Sequence, residues 1–275
     1  VLSSANSINV GRLVPQVTYY FDAYAQLVAA GALEPGDAID FCVPTGNFGD
    51  VLAGYYAKLM GLPVRTLVVA SNANDVLTDF ITTGTYDRRR PFHKTISPSM
   101  DILVSSNLER LLFYLSDGDC ELVSSLMADL AEKGSYTVPP ALLERLHETF
   151  ACGRADDAAT RETIRQVWEQ HHVLLDPHTA VARHVLDARP QDGVTRVCLS
   201  TASPYKFSAD VLAALGLDTT GMGGFACMDR LSELTGTQAP AALSALRDAP
   251  ERFDDVVSVS GMNHYVEDAA VRILT

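Results

Sequence analysis

The sequence predicts an α/β fold, in which a twisted and mostly parallel sheet is covered by helices. Three observations support this prediction. Short apolar runs at 38–43, 64–70 and 194–200 have the length and composition of buried strands. Amphipathic segments lie between them, and the succession of strand, short turn, helix and strand is typical of a βαβ unit, whose strands are parallel. The chain has 275 residues, which is enough to bury a substantial core.

The helices follow from apolar spacing and from the residues that end it. Apolar side chains recur every three or four residues from Leu13 to Val28, and Gly31 ends this first predicted helix. A short apolar run near 256–259 predicts one more strand. Similar helical patterns predict further helices at 51–60, 177–188, 207–215 and 240–247.

The middle of the chain has a different pattern. Residues 107–172 look almost wholly helical, and we interpret them as a helical insertion in the α/β framework. The framework then consists of residues 1–106 and of 173–275, which return to the core and end in a C-terminal tail. The stretch 84–101 is rich in Thr, Arg, Pro and Ser and predicts a long surface loop, a kind of segment that is often functional in enzymes.

The composition excludes several classes of protein. The chain has 34 acidic and 21 basic residues, a net charge of −13, which argues against binding to nucleic acid or to an anionic membrane. No apolar run reaches 18 residues, so no membrane span is expected. The five cysteines are widely spaced, without a C-x-x-C pair or a disulfide framework, which is typical of the reducing cytoplasm. No metal site is predicted.

The most informative motif is the turn Pro44–Asp50, between the first predicted strand and its helix. Gly46 and Gly49 permit a positive φ and the close approach of an anion, and a helix start supplies N–H groups and a favourable dipole. An ordinary βα turn would explain the two glycines equally well. The position favours binding, because α/β sheets bind ligands at the carboxyl ends of their strands. The motif lacks the Lys-Ser/Thr pair of a nucleoside-triphosphate loop.

Short polar side chains cluster just before the first helix. Asn6, Ser7 and Asn9 carry hydrogen-bonding groups, and Arg12 adds a fork of donors that suits a phosphate or a carboxylate. The alternative is structural: Ser7 or Asn9 caps the helix, which the spacing alone slightly favours.

Three further segments are candidates for chemistry. Ser97–Asp101 has no obvious structural reason for its polarity, whereas Asn107 is explained as a helix cap. His178 follows the capping residue Asp176 in the first turn of a helix, and we expect it to face solvent. The run 201–207 places hydroxyl groups and Lys206 at the end of a buried strand, where the hydroxyl groups suit a ring nitrogen or a helix cap.

In this order the motifs resemble those of threonine synthases of the bacterial and fungal type. These are pyridoxal-phosphate enzymes with the tryptophan-synthase-β fold, called fold type II. The Ser-Pro-Ser-Met-Asp run is quite specific to this group, whereas the glycine turn is common to the whole fold type. The matching runs are residues 4–9 with Arg12, 44–50, 70–75, 97–101 with 105–107, 177–182 and 201–207.

The resemblance implies a cofactor, a substrate and roles for individual residues. The cofactor would be pyridoxal 5′-phosphate, and the reaction would convert O-phosphohomoserine, a small phosphorylated amino acid, and water into L-threonine and phosphate. Thr201 would meet the pyridine nitrogen of the cofactor. Asp50 stands where related synthases can carry Asn. The cofactor phosphate would be held by Gly46, Asn47, Phe48, Gly49 and Asp50, and the substrate phosphate by Asn6, Ser7, Asn9 and Arg12.

The resemblance also implies that the catalytic residue is not in this chain. The family's Schiff-base lysine is expected upstream of the Asn6 segment, and none of the four lysines stands in its setting. The chain begins without Met, so we expect it to be the C-terminal part of the enzyme, inactive without the N-terminal part as its partner. Three alternatives stay open: another fold type II lyase, similar to threonine dehydratase, a non-catalytic module that binds pyridoxal phosphate or a phosphorylated ligand, and a bare structural fragment.

Overall fold

The computed structural model describes residues 6–252 and 254–274. The chain divides between Gln238 and Ala239 into two units, a large one with the sheet and a small C-terminal one. Ser4 and Ala5, which belong to the first matching run, lie outside the described residues. None of the described helices is long and apolar enough to cross a membrane.

Ten helices belong to the described part of the large unit. Four α-helices of the sequence prediction are present within three residues of their predicted bounds, while the helices at 76–83 and 224–235 were not predicted. In chain order, the helices are α1 (Val10–Ala29), α2 (Gly49–Leu59), α3 (Val76–Thr83), α4 (Leu108–Leu115), α5 (Cys120–Lys133), α6 (Pro140–His147), α7 (Asp157–His171), α8 (Pro177–Asp187), α9 (Ser208–Ala214) and α10 (Gly224–Thr235).

The described strands form a parallel sheet and a small antiparallel ladder. The parallel sheet has the order β5-β2-β1-β6, in which Val43 of β1 pairs with Val69 of β2, and Cys42 pairs with Cys198 of β6. The predicted α/β fold with a parallel sheet is confirmed. The strands are β1 (Ile39–Pro44), β2 (Val64–Ser71), β3 (Thr85–Asp87), β4 (Ser135–Thr137), β5 (Phe150–Arg154) and β6 (Thr195–Cys198).

Each face of the parallel sheet is covered by its own hydrophobic cluster. On one face Phe41 and Val43 of β1 pack with residues of α1, α2 and α3. On the other face Cys42 of β1 packs against Val181 and Val185 of α8. This division follows from the alternation of side chains along a strand. Because both faces are buried, β1 is apolar almost throughout, and its end is fixed between two helical layers.

The segment 107–172 contains two strands that the helical pattern did not predict. β4 pairs with β3, and Tyr86 stacks on Tyr136 with ring centroids 5.4 Å apart. β5 joins the main sheet beside β2. Its sequence, Phe-Ala-Cys-Gly-Arg, has too few branched residues to be recognised as a strand, and pairing with β2 outweighs this weak local preference.

The described part of the small C-terminal unit differs from its prediction in two elements, a predicted strand that is absent and a helix at 262–274 that was not predicted. The predicted strand at 256–259 was wrong: Val259–Gly261 form a 3-10 turn that leads into α12 (Met262–Leu274). Val256 is 97% exposed, so no partner buries the apolar run that suggested a strand. The helix predicted at 240–247 is present as α11 (Ala241–Ser244) followed by a 3-10 turn.

Candidate functional site

A cleft of about 550 Å³ opens at the carboxyl ends of β1 and β6. This is the edge at which parallel α/β sheets bind ligands, and the volume suits a cofactor. Nine of the ten predicted binding residues lie on its walls. The lining consists of Asn6, Ser7, Arg12, Gln16, Pro44, Thr45, Gly46, Asn47, Phe48, Gly49, Asp50, Val51, Ser99, Met100, His178, Thr201, Ala202 and Lys206.

The turn before α2 brings the start of that helix to the cleft. Gly46 and Gly49 permit a positive φ but do not adopt one, and the left-handed residue of the turn is Phe48, with φ 58° and ψ 15°. Such a conformation is strained for an aromatic residue, and it is held here because the Phe48 ring is buried and packs near Phe150. Phe48 has no side-chain oxygen to cap the helix, so the first N–H groups of α2 suit an external anion.

Gly46 is needed for a close contact between two backbones. A Cβ atom at this position would lie 2.8 Å from the carbonyl oxygen of Ser99 and 3.1 Å from Cα of Met100. Both residues belong to the 3-10 turn Pro98–Met100. At Gly49 the nearest atoms would be 3.7 Å away, which is ordinary contact. The sequence analysis explained Gly46 by the close approach of an anion, whereas the structure shows that the chain's own backbone approaches it.

Asn107 joins the segment before α1 to the turn before α2. Its side chain is fully buried, and its Nδ2 atom donates to the carbonyl oxygens of Ser7, at 3.0 Å, and Asn47, at 2.8 Å. Ser105 supports the same turn, since its hydroxyl donates to the carbonyl oxygen of Gly46 at 2.8 Å. Asn107 occupies the predicted N-cap position of α4, but its side chain makes no capping bond to that helix. It positions two walls of the cleft instead.

Three of the four predicted substrate-binding residues line the cleft, and the fourth does not. Asn6, Ser7 and Arg12 line the cleft. Asn9 does not, because its Oδ1 atom accepts from the N–H of Gly11 at 2.8 Å and caps α1. The helix-capping alternative therefore describes Asn9. Its contact with a substrate stays a prediction.

Gln16 is a cleft residue that the sequence analysis missed. It lies one helical turn beyond Arg12 on α1 and also lines the cleft. Residues four apart share a helix face, so the spacing alone could have identified Gln16 once Arg12 had been selected.

Asp50 gives the cleft a titratable negative charge beside the start of α2. The Tyr20 hydroxyl donates to both the carbonyl oxygen and the Oδ1 atom of Asp50, at 2.7 Å and 3.1 Å. Burial raises the pKa of the Asp50 carboxyl to about 6, although the bond from Tyr20 opposes this shift. Above that pH the carboxylate is charged and repels an external anion at the start of α2.

Asp50→Asn is expected to tighten the binding of sulfate about fivefold near pH 7, which corresponds to the removal of about 1 kcal/mol of charge repulsion. In the unmodified chain, sulfate affinity should rise as the pH falls through 6, the pKa of Asp50. Sulfate is the right probe because it stays a dianion in this range, whereas phosphate does not. Calorimetric titration at several pH values measures both effects. Asp119→Asn, on an exposed helix cap, is the control, and an equally steep pH profile in Asp50→Asn would contradict the role of Asp50.

His178 is buried, so the expectation that it faces solvent was wrong. The residue is only 2% exposed and lines the cleft. Its Nδ1 atom is 2.9 Å from Oδ1 of Asp176, and its Nε2 atom accepts from the N–H of Ser99 at 3.1 Å. Burial depends here on Ser99, which lies far away in the sequence, and the first turn of an isolated helix gives no sign of it.

Asp101 anchors the far end of the Ser97–Asp101 run. Its Oδ1 atom accepts from Asn72 Nδ2 at 2.8 Å, Asn74 Nδ2 at 3.0 Å and Thr95 Oγ1 at 2.7 Å, and its Oδ2 atom accepts from Thr95 N. Two of the motifs, 70–75 and 97–101, thus meet in one hydrogen-bond network. This network ties the polar loop to the end of β2 and sets the position of the turn at the cleft.

Two cations and one hydroxyl complete the cleft. Thr201 follows β6 and is exposed to the cleft, and Lys206 lies in the next 3-10 turn. Lys206 is the only lysine that lines the cleft among the residues that the structure describes. Together with Arg12 it gives the cleft two positive charges in a chain whose net charge is −13. In the same part of the chain, no group of three or more His, Cys, Asp or Glu side chains is arranged to hold a metal ion.

Comparisons with known proteins place the chain among similar sequences and folds. The family model described as "Threonine synthase, C-terminal" matches residues 179–266. Human threonine synthase-like 1 is 45% identical over 217 residues, which are 78% of this chain and 29% of that protein. Threonine synthase of Schizosaccharomyces pombe is 39% identical over 238 residues, and the match covers 78% of this chain and 46% of that protein. The chain thus spans less than half the length of either relative.

A solved structure supports the same relation. The crystal structure of pyridoxal-phosphate-bound threonine synthase from Brucella melitensis matches 96% of this chain with a TM-score of 0.81 and 38% identity, and this region is 52% of that chain. The parallel sheet and its helices are therefore those of a fold type II enzyme. The predicted resemblance of this chain to the C-terminal part of threonine synthases is confirmed.

Proposed function

We propose that the cleft holds pyridoxal phosphate and a phosphorylated amino acid, and that it is part of a threonine synthase active site. One observation carries the proposal: the turn before α2, the segment before α1 and the end of β6 line a single cleft. The Brucella relative is described as bound to pyridoxal phosphate. The residues fit this cofactor, because the start of α2 has no side-chain cap and faces a cleft of suitable volume.

The residues divide between the two ligands. The N–H groups at the start of α2, from Gly49 onward, would bind the cofactor phosphate. The Thr201 hydroxyl would donate to the pyridine nitrogen and leave it neutral. Arg12, with Asn6 and Ser7, would bind the phosphate of O-phosphohomoserine, since a guanidinium matches phosphate geometry with two parallel bonds. When bound, the cofactor supplies an electron sink, which serves the loss of phosphate and the addition of water that yield threonine.

Lys206 is the lysine that lines the cleft, so the question is whether it forms a covalent bond with the cofactor. We propose that the chain binds pyridoxal phosphate without a covalent bond and is inactive as it stands, because the lysine of the family is expected in the N-terminal part. Added pyridoxal phosphate should give saturable binding by absorbance, and borohydride reduction followed by peptide mapping should yield no labelled lysine. A labelled Lys206 would contradict the non-covalent proposal, and a complete lack of binding would favour a bare structural fragment.

Arg12→Leu is expected to weaken the binding of a phosphonate analogue of O-phosphohomoserine roughly 10- to 100-fold, the loss of one or more charge-assisted bonds of about 1.5–3 kcal/mol. The affinity for pyridoxal phosphate should change less than about threefold, since the cofactor phosphate is assigned to α2. Calorimetric titration of each ligand measures the two affinities. Arg183→Leu, on the exposed surface of α8, is the matched control. Unchanged analogue affinity in Arg12→Leu would instead favour the alternative similar to threonine dehydratase, whose substrate carries no phosphate.

The cellular compartment is part of the proposal. We propose a cytoplasmic location, supported by five cysteines that all have free thiols.

A further inference from the structure

His178 is a buried ring at the wall of the cleft to which the proposed function gives no part. Both of its nitrogens have a partner: Nδ1 lies 2.9 Å from Oδ1 of Asp176, and Nε2 lies 3.1 Å from the backbone nitrogen of Ser99. The ring also packs on Phe207, with centroids 4.8 Å apart. A ring held on three sides has one orientation.

The two partners determine the protonation state of His178. The backbone N–H of Ser99 can only donate, so Nε2 must accept and carries no proton. The carboxylate of Asp176 accepts N–H bonds from the backbones of His178 and Thr179 as well, so it receives the proton of Nδ1. His178 is therefore a neutral imidazole with its proton on Nδ1. The imidazolium form would place an N–H group against the N–H of Ser99.

The bond to Ser99 acts on the part of the cleft where the anion site is proposed. Ser99 is the middle residue of the turn Pro98–Met100, and its carbonyl oxygen is the atom that would lie 2.8 Å from a Cβ atom at position 46. The network of Asp101 fixes the residues on either side of the turn, through Asp101 itself and through the bonds of Asn72 to Ser97. On the cleft side, His178 supplies the hydrogen bond that keeps the Ser99 backbone in place against Gly46.

We propose that His178 is a positioning residue, which holds the Pro98–Met100 turn against Gly46 through its Nε2 acceptor and thereby sets the shape of the anion-binding turn. It touches no reacting atom in this role. The effect on anion binding rests on the proposed function, whereas the hydrogen bond and the protonation state of the ring do not.

The protonation state is tested directly by nitrogen-15 NMR of the histidine-labelled chain at neutral pH. The expected spectrum for His178 shows a neutral ring with a protonated Nδ1 and an unprotonated Nε2, assigned by comparison with His178→Gln. A proton on Nε2, or an imidazolium, would overturn the proposal. This measurement requires no ligand, so it decides the matter even if the chain binds neither phosphate nor pyridoxal phosphate and the proposed function fails.

Two substitutions test the positioning role. His178→Phe keeps the ring and its packing but removes the acceptor, whereas His178→Gln can present an amide oxygen near the position of Nε2. We expect the Ser99 amide to exchange its hydrogen at least about tenfold faster in His178→Phe, with inorganic phosphate bound about tenfold more weakly, and both values within about threefold of the original in His178→Gln.

The proposal would be overturned if the Ser99 amide exchanged its hydrogen at the same rate in His178→Phe, in His178→Gln and in the unmodified chain. A loss of both properties in the Gln variant as well would indicate a merely structural ring. His184→Gln on the same helix, away from the cleft, is the control for general effects on α8. If His178→Phe does not fold, His178→Asn replaces it, because its shorter amide cannot reach Ser99.

Discussion

Gly46→Ala is expected to destabilise the chain by about 1–3 kcal/mol and to abolish anion binding in the cleft. The added methyl group would lie 2.8 Å from the carbonyl oxygen of Ser99, which is a backbone atom and cannot rotate away. Overpacking of this kind costs about 1–3 kcal/mol, because the backbone must shift. The shift would separate the turn before α2 from the Pro98–Met100 turn, and these two turns form the end of the cleft where we propose that the anion binds.

Urea unfolding and titration with phosphate measure the two effects of this substitution. Gly49→Ala is the control for stability, since the nearest atoms would lie 3.7 Å from the added methyl group and the φ of Gly49 is not positive. If Gly46→Ala were as stable as Gly49→Ala, the close approach of Ser99 to position 46 would not affect the free energy of unfolding. Retained phosphate binding in a destabilised Gly46→Ala would place the anion elsewhere in the cleft.

Asp101→Ala should be the second strongly destabilising substitution, with a loss of roughly 2–4 kcal/mol. It removes the acceptor of four hydrogen bonds, which come from Asn72, Asn74 and the side chain and backbone of Thr95. Hydrogen bonds to a charged group contribute roughly 1.5–3 kcal/mol each, but members of one network do not add. Asp101→Asn should lose less stability than Asp101→Ala, because its amide oxygen remains an acceptor. It should still be less stable than the unmodified chain, because its N–H₂ group faces other donors.

The measurement for Asp101 is again the free energy of unfolding, with phosphate titration as the second readout. Asp119→Ala is a suitable comparison, because this exposed carboxylate accepts one helix-capping bond from Leu122 and its loss should cost about 1 kcal/mol. A loss at Asp101 no larger than that at Asp119 would show that the network is not cooperative.

The sequence was sufficient to predict nine of the residues that line the cleft. Pro44–Asp50 and Thr201 follow two buried strands, and the carboxyl ends of parallel strands converge at one edge of the sheet, so their approach follows from the fold class. Arg12 could be predicted because a polar cluster before an amphipathic helix is visible as a pattern. Each of these inferences needs only local periodicity and the direction of the strands.

The features that sequence reasoning missed depend on contacts between distant segments. His178 is buried by Ser99, and the contact of Gly46 is with the same residue, so neither appears in a local pattern. The left-handed conformation falls on Phe48, although a neighbouring glycine could adopt it with less strain, because packing of the ring determines the turn. β5 has a weak strand composition and becomes a strand by pairing with β2.

The pairing of β1 with β6 has a consequence for how the chain folds. Cys42 and Cys198 are adjacent in the sheet although most of the chain lies between them, and closing so long a loop carries a high entropic cost. The turn after β1 and Thr201 after β6 therefore come together only when this long-range pairing is complete. A ligand that needs both walls binds the finished fold and not the early βαβ unit, so by mass action it stabilises the whole large unit. The fraction of chains that bind such a ligand therefore measures the fraction whose large unit has folded completely.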